Sequence, residues 1–273
     1  MAESVEQRYK DKVTIVTGGS KGIGRGCVEV FVKHGSKVAF CARGEKEGRE
    51  LEAEMNKRGP GEAFFLTCDV SEEADIMHVI AKTVEKYGKI DCLINNAGQH
   101  PPRTSIDEIS GDDFRRLLDV NLVGIFLFSK IALPYLRKTK GNIINVSSLA
   151  GQIGQSGATA YVSTKGAITS FSKALAIDEA EHGVRVNVFS PGNVWTPMWE
   201  QEARWNPDPA AAKQAGKDAQ LIGRFGTLEE SGLLCLYLAA EATFCTGTVV
   251  NMSGGAELDL GYKNKMKKSE EWK

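Results

Sequence analysis

Tyr161 and Lys165 stand four residues apart in a stretch with helical periodicity, so they share one face of a helix. A free tyrosine has a pKa near 10, too high to give up a proton easily at neutral pH. A neighbouring ammonium favours the phenolate and lowers that value. The phenol can then exchange a proton with an alcohol near physiological pH. Ser148 lies thirteen residues before Tyr161, at the end of a strand-like run, where its hydroxyl can hold a substrate oxygen. Asn121 sits in a preceding long helical stretch and can position a water behind Lys165, completing a proton path to solvent.

A second group of residues speaks for a dinucleotide. A β-branched run, Val13–Thr17, leads straight into Thr17-Gly18-Gly19-Ser20-Lys21-Gly22-Ile23-Gly24. Gly18, Gly22 and Gly24 fall at a strand-to-helix turn, where a pyrophosphate needs bare backbone and the free N–H groups of a helix start. Ser20, Lys21 and Ile23 share that turn as candidate contacts. The nucleoside-triphosphate pattern G-x4-GK[ST] is absent. The second strand ends Phe40-Cys41-Ala42-Arg43, without the carboxylate that accepts from both ribose hydroxyls of NAD. Arg43 and Lys21 can instead flank a 2′-phosphate, so NADP(H) is favoured slightly, with NAD(H) as the alternative. Asp69, followed by Val70, stands after the third strand and can accept from an adenine amino group. Asn95-Asn96-Ala97-Gly98 follows the fourth, and its small residues let a cofactor lie close to the chain.

Positioning these groups requires alternating strands and helices. Strands are expected at Val13–Thr17, Lys37–Cys41, Ala63–Cys68, Ile90–Ile94, Asn142–Ser147 and Val184–Phe189. Helices are expected at Glu45–Arg58, Glu72–Tyr87, Asp112–Lys138 and Tyr161–His182. That alternation implies an α/β fold with a parallel sheet of about seven strands covered on both faces, a doubly wound Rossmann-type domain. No linker and no internal repeat divides residues 1–273, so one domain is expected. Residues 191–226 break the rhythm and carry Trp195, Trp199 and Trp205, which reads equally as a substrate-binding insertion or as packing. Residues 259–273 are expected to be a flexible tail. Within it Tyr262 is a candidate for closing a neighbouring subunit's pocket, and its lysines read as a solvated end.

Composition excludes several classes. A net charge of −1 speaks against a nucleic-acid partner. Six cysteines without CxxC spacing or histidines at ligand distance give no metal site and suggest buried thiols in a reducing compartment. The charged N-terminus lacks a secretory signal, and the longest apolar run, Leu233–Ala240, is too short to span a membrane. The cytoplasm is the expected location.

His100 follows NNAG and Gln155 falls between Ser148 and Tyr161, and either can bond a polar end of a substrate. Asn193, Trp195, Met198 and Trp199 begin the insertion. A tryptophan-lined wall suits a flat apolar alcohol, or a sugar whose faces stack on rings.

TGGSKGIG, CDV, NNAG, Asn121, Ser148, YVSTK and SPGNVWTP occur in the order found in the short-chain dehydrogenase/reductase family, which the chain resembles over roughly residues 9–258. The resemblance implies hydride transfer between a nicotinamide and a secondary alcohol or ketone. It implies that Lys165 holds the nicotinamide ribose, that Val194 meets the carboxamide and that Thr196 reaches the phosphates, with Tyr161, Pro191 and Gly192 also among the cofactor-binding residues. It implies a homodimer or homotetramer built on the helices at Asp112–Lys138 and Tyr161–His182. Within the family, NNAGQHPP, ALPYLRK, SPGNVWTPMWE and FCTG…GGAEL are similar to a branch that acts on 17-beta-hydroxysteroids and L-fucose. A 17-beta-hydroxysteroid is the expected substrate and a sugar of the L-fucose type the alternative. That branch is expected to use NAD with an aspartate where this chain has Ala42. A silent dinucleotide sensor is the competing class, and the intact Ser148, Tyr161 and Lys165 argue against it.

Overall fold

Seven strands, Val13–Thr17 (β1), Lys37–Ala42 (β2), Glu62–Thr67 (β3), Cys92–Asn95 (β4), Asn142–Val146 (β5), Arg185–Pro191 (β6) and Val249–Met252 (β7), form one sheet. Their order is β3-β2-β1-β4-β5-β6-β7, and every neighbouring pair is parallel. The computed structural model describes residues 6–259. Tyr262 and all but the first residue of the expected tail lie outside the described residues.

Residues of strands β1 to β6 enter two cores. Val16, Phe40, Phe65, Ile144 and Phe189 pack under Gly22–Lys33 (α1), Glu45–Arg58 (α2) and Leu228–Ala240 (α10). Ile15, Leu66, Leu93, Ile143 and Val186 pack under Glu73–Tyr87 (α3), Gly124–Thr139 (α5) and Thr159–Glu179 (α7). Burial on both faces explains the near-continuous apolar strands. Helices α1 and α10 cross where side chains are missing. A Cβ on Gly26 would stand 2.2 Å from the Leu228 carbonyl oxygen, and one on Gly232 would stand 2.4 Å from that of Gly26.

Two expected helices differ in detail. The stretch expected at Asp112–Lys138 is three pieces: Gly111–Leu118 (α4), a π turn over Asp119–Val123, and α5. By length and composition alone, Gly111–Thr139 is apolar enough to cross a membrane. It nevertheless packs Phe128, Ala132 and Leu136 into the second core. The helix expected from Tyr161 starts at Thr159, and its last residues, Ala180–His182, form a 3-10 turn.

The segment 191–226 contains two helices, Pro197–Arg204 (α8) and Pro209–Asp218 (α9). Each starts with proline just after a side-chain cap: Thr196 Oγ1 accepts from Trp199 N, and Asp208 Oδ1 accepts from Ala210 N and Ala211 N.

Candidate active site

The carboxyl ends of β1, β4, β5 and β6 bring the expected residues to one edge of the sheet, where ligands of such folds lie. The glycine-rich turn is held from the side. Asn96 Nδ2 donates to the carbonyls of Thr17 (2.9 Å) and Gly18 (3.2 Å), and Thr17 Oγ1 accepts from Asn96 N and Ala97 N. Gly18 has φ +64°, and a Cβ on Gly24 would sit 2.3 Å from the Gly18 oxygen. The start of α1 has no side-chain cap, so its first N–H groups face the turn. Ser20 is buried there, and a Cβ on Gly22 would touch Thr196 at 3.4 Å. A bare glycine cradle facing an uncapped helix start fits a dinucleotide pyrophosphate.

At the adenosine end, β2 finishes at Ala42 and Arg43 is exposed. Lys21 is tied to Glu47 (2.9 Å), so it is less available to a 2′-phosphate than its position suggests. Asp69 accepts from Ser71 N (3.0 Å) and Oγ (2.7 Å). Burial raises its carboxyl, but those bonds and the Arg43 charge leave it below the usual carboxylate range. The Val70 carbonyl lies over Gly124, where a Cβ would stand 2.5 Å away.

Tyr161, Ser148 and Lys165 converge. Ser148 follows β5, and Tyr161 and Lys165 lie one turn apart on α7. Lys165 is 5% exposed, and its ammonium donates to the Val146 carbonyl at 3.0 Å and stands 5.8 Å from the Tyr161 ring centre. Burial lowers Lys165 to about 8. Tyr161 moves the other way from the sequence expectation. Burial pushes its phenol up to about 12, the Ser148 hydroxyl pulls it down through a hydrogen bond, and the Glu202 charge raises it. Desolvation is the largest influence on the phenol, and the Lys165 ammonium is bonded to the Val146 carbonyl.

Asn121 lies in the π turn and is fully buried. Its Oδ1 accepts from Gln99 N (2.8 Å), and its Nδ2 donates to Gln99 O and Thr164 Oγ1. The side chain is thus spent on protein partners rather than free to hold a water. Gly98 stands against this cluster: a Cβ there would lie 3.3 Å from Asn121 Oδ1 and 3.4 Å from Lys165 Nζ.

A cavity of about 790 Å³ opens in front of Tyr161 and Ser148. His100, Gln155, Asn193, Met198 and Trp199 line it, with Ile23, Pro191, Gly192, Val194 and Thr196 on the dinucleotide side. His100 stacks on Tyr161 with ring centres 4.2 Å apart. Its Nδ1 is 2.7 Å from the Pro101 carbonyl, so Nδ1 carries the proton and Nε2 accepts from Gln155 Nε2 at 3.1 Å. Asn193 Oδ1 accepts from Trp199 Nε1 (3.2 Å) and Asn193 Nδ2 donates to Gly216 O (2.8 Å), so Asn193 orients Trp199. Trp195 is not in the wall. It packs on Phe225 and Trp199 with the Lys213 ammonium over its ring. Val194 forms an isolated bridge with Gly226 in which the bonds come from Asn193 and Trp195. Its own N–H and carbonyl have no backbone partner among the described residues. Trp205, expected only as part of the insertion, borders the cavity, and so do Arg103, Glu202 and Asn206, which the sequence did not single out. Charged residues in α8 read as a solvated face, and nothing in their spacing separates them from one.

The sequence pattern of the short chain dehydrogenase family matches residues 12–207. An L-fucose dehydrogenase of Bos taurus is 50% identical over 256 residues, covering 94% of this chain and 93% of that protein. One of Mus musculus is 50% identical over 262 residues, covering 96% and 93%. A crystal structure of levodione reductase superposes with a TM-score of 0.88 at 26% identity, over 92% of this chain and 99% of that one.

Proposed function

The chain belongs to the short-chain dehydrogenase family, and from that premise we propose that it oxidises the hydroxyl of an aldose of the L-fucose type. It is an oxidoreductase acting on CH–OH groups with a nicotinamide nucleotide, as its family is. One observation carries the sugar reading. The phenol and hydroxyl of Tyr161 and Ser148 share a cavity with the coupled amide and imidazole of Gln155 and His100. These fixed polar groups match a substrate that carries several hydroxyls. The names of the relatives at 50% identity point to the same alternative rather than to the steroid.

When bound, the nicotinamide would supply the hydride chemistry and, in its oxidised state, a positive charge favouring the phenolate. The chain supplies the rest. Ser148 holds the substrate oxygen, and Tyr161 takes or returns the hydroxyl proton. Lys165 would hold the nicotinamide ribose. The Asn121 carbonyl in the π turn holds a water that passes the proton on. The bare N–H and carbonyl of Val194 would pair with the carboxamide, and the Thr196 hydroxyl, already an acceptor for Trp199 N, would donate to a phosphate.

The cofactor is NADP(H), with NAD(H) as the alternative. The absence of a carboxylate at the tip of β2 and the exposed Arg43 support this choice, while the Lys21–Glu47 pair works against it. The protein works in the cytoplasm as a homodimer or homotetramer. Free cysteines support the first statement, and exposed Phe126 and Ile177 on α5 and α7, with Phe244 beyond α10, support the second.

The test is a panel of aldoses, 17-beta-hydroxysteroids and small ketones run with NADP(H) and NAD(H) in parallel. Highest kcat/KM on L-fucose is expected, and a steroid preference overturns the sugar reading. An Arg43→Ala variant should lose about tenfold in kcat/KM with the phosphorylated cofactor and little with NAD(H). An equal loss with both would remove Arg43 from cofactor selection.

A further inference from the structure

We propose that Glu202, anchored by Arg103 across the cavity mouth, is the specificity-determining residue that selects a polyhydroxylated substrate over an apolar alcohol. The assignment rests on the aldose reading above and names the group that enforces it. Glu202 projects from α8 into the same cavity as Tyr161, and its side chain is only 23% exposed. Arg103, from the segment after β4, reaches its Oε1 through Nε (3.4 Å) and Nη2 (3.3 Å). Oε2 accepts no hydrogen bond from the described residues. Glu202 and Tyr161 line the same cavity, and the Glu202 charge raises the phenol.

A three-quarters buried carboxylate with one oxygen held and one unspent is costly unless a ligand donates to it. An apolar alcohol has nothing to offer Oε2 and would strip it of water. A polyol offers hydroxyl donors, and a carboxylate accepts them more strongly than a neutral group does. The Arg103 guanidinium balances the charge, so an uncharged polyol fits better than an ammonium or an acid. Trp199 and Trp205 on the same wall give the sugar ring faces to lie against.

The experiment compares wild type, Glu202→Leu and Glu202→Gln on L-fucose and on cyclohexanol, a cyclic secondary alcohol with no further hydroxyl. For Glu202→Leu, KM for L-fucose should rise about 10- to 100-fold, as expected for a lost charged hydrogen bond, with the smaller part of the effect in kcat. KM for cyclohexanol should fall. Glu202→Gln, which keeps the shape and one acceptor, should lie between. An unchanged L-fucose-to-cyclohexanol ratio of kcat/KM in Glu202→Leu overturns the assignment alone. Wild type that turns over no aldose overturns the aldose reading and the assignment with it. Thermal melting reports whether Glu202→Leu is folded; if it is not, the Gln variant decides, and an unchanged KM for L-fucose overturns the assignment.

Discussion

Tyr161→Phe is expected to lower kcat by about a thousandfold while cofactor binding, read by calorimetry, stays in the wild-type range. Phenylalanine keeps the ring that stacks on His100 and removes only the oxygen that Ser148 bonds. The pH dependence separates proton transfer from packing. A phenol held near 12 is protonated at neutral pH, ready to donate to a ketone and slow to accept from an alcohol. Alcohol oxidation by wild type should therefore speed up as the pH is raised from neutrality, and the Phe variant should lack that limb. A Phe variant with wild-type rates would remove Tyr161 from the proton transfer.

Lys165→Met should separate function from stability in the opposite directions. Activity is expected to fall about a thousandfold, since the ribose contact and the charge beneath the tyrosine are lost. Stability at neutral pH is expected to rise. The buried ammonium falls from 10.5 to about 8, a cost of about 3 kcal/mol at neutral pH, offset by about 1 kcal/mol for the bond to Val146. The unfolded chain therefore binds more protons than the folded one between pH 8 and 10.5. Wild-type stability gains across that window from this group, while below pH 8 the cost is constant. Subtracting the Met variant's profile from that of wild type isolates the effect. Denaturant melts that rank Met below wild type at pH 7 would show that the lysine is structurally required.

Residues whose position follows from periodicity were legible. The strand–turn–helix around Gly18 and the YVSTK face placed the dinucleotide turn and the tyrosine–lysine pair, because period and spacing carry them. Six of the seven strands could be named. β7 could not, since Val249–Met252 is short and only partly buried, with Thr248 and Ser253 at its ends. The helices α8 and α9 announce themselves by Thr196-Pro197 and Asp208-Pro209, a cap followed by proline at the first helical position. That signal was available and was hidden under the tryptophans. The π turn at Asn121 has no signature in the sequence, and the contacts of Gly98, Gln99 and Thr164 with its amide appear only in the fold. Trp195 and Trp199 look alike in the sequence. Only Asn193 and Gly216 decide which faces the cavity: a Cβ on Gly216 would stand 2.3 Å from the Trp199 ring. Glu202 belongs to the same class, since a carboxylate on an amphipathic helix declares its partner only when Arg103 is brought across the mouth.

The glycine-lined crossing of α1 and α10 also bears on how a ribosome delivers this protein. Helix α1 leaves the exit tunnel early, yet Gly26 is covered by Leu228 and Gly232, some two hundred residues later. Until those residues emerge, Cys27, Val30 and Phe31 lack the partner that shields them, and the dinucleotide turn rests on an unsupported helix. Nascent chains stalled before α10 should therefore be sticky, protease-sensitive and unable to hold nucleotide, and quality control will read any truncation there as a folding failure.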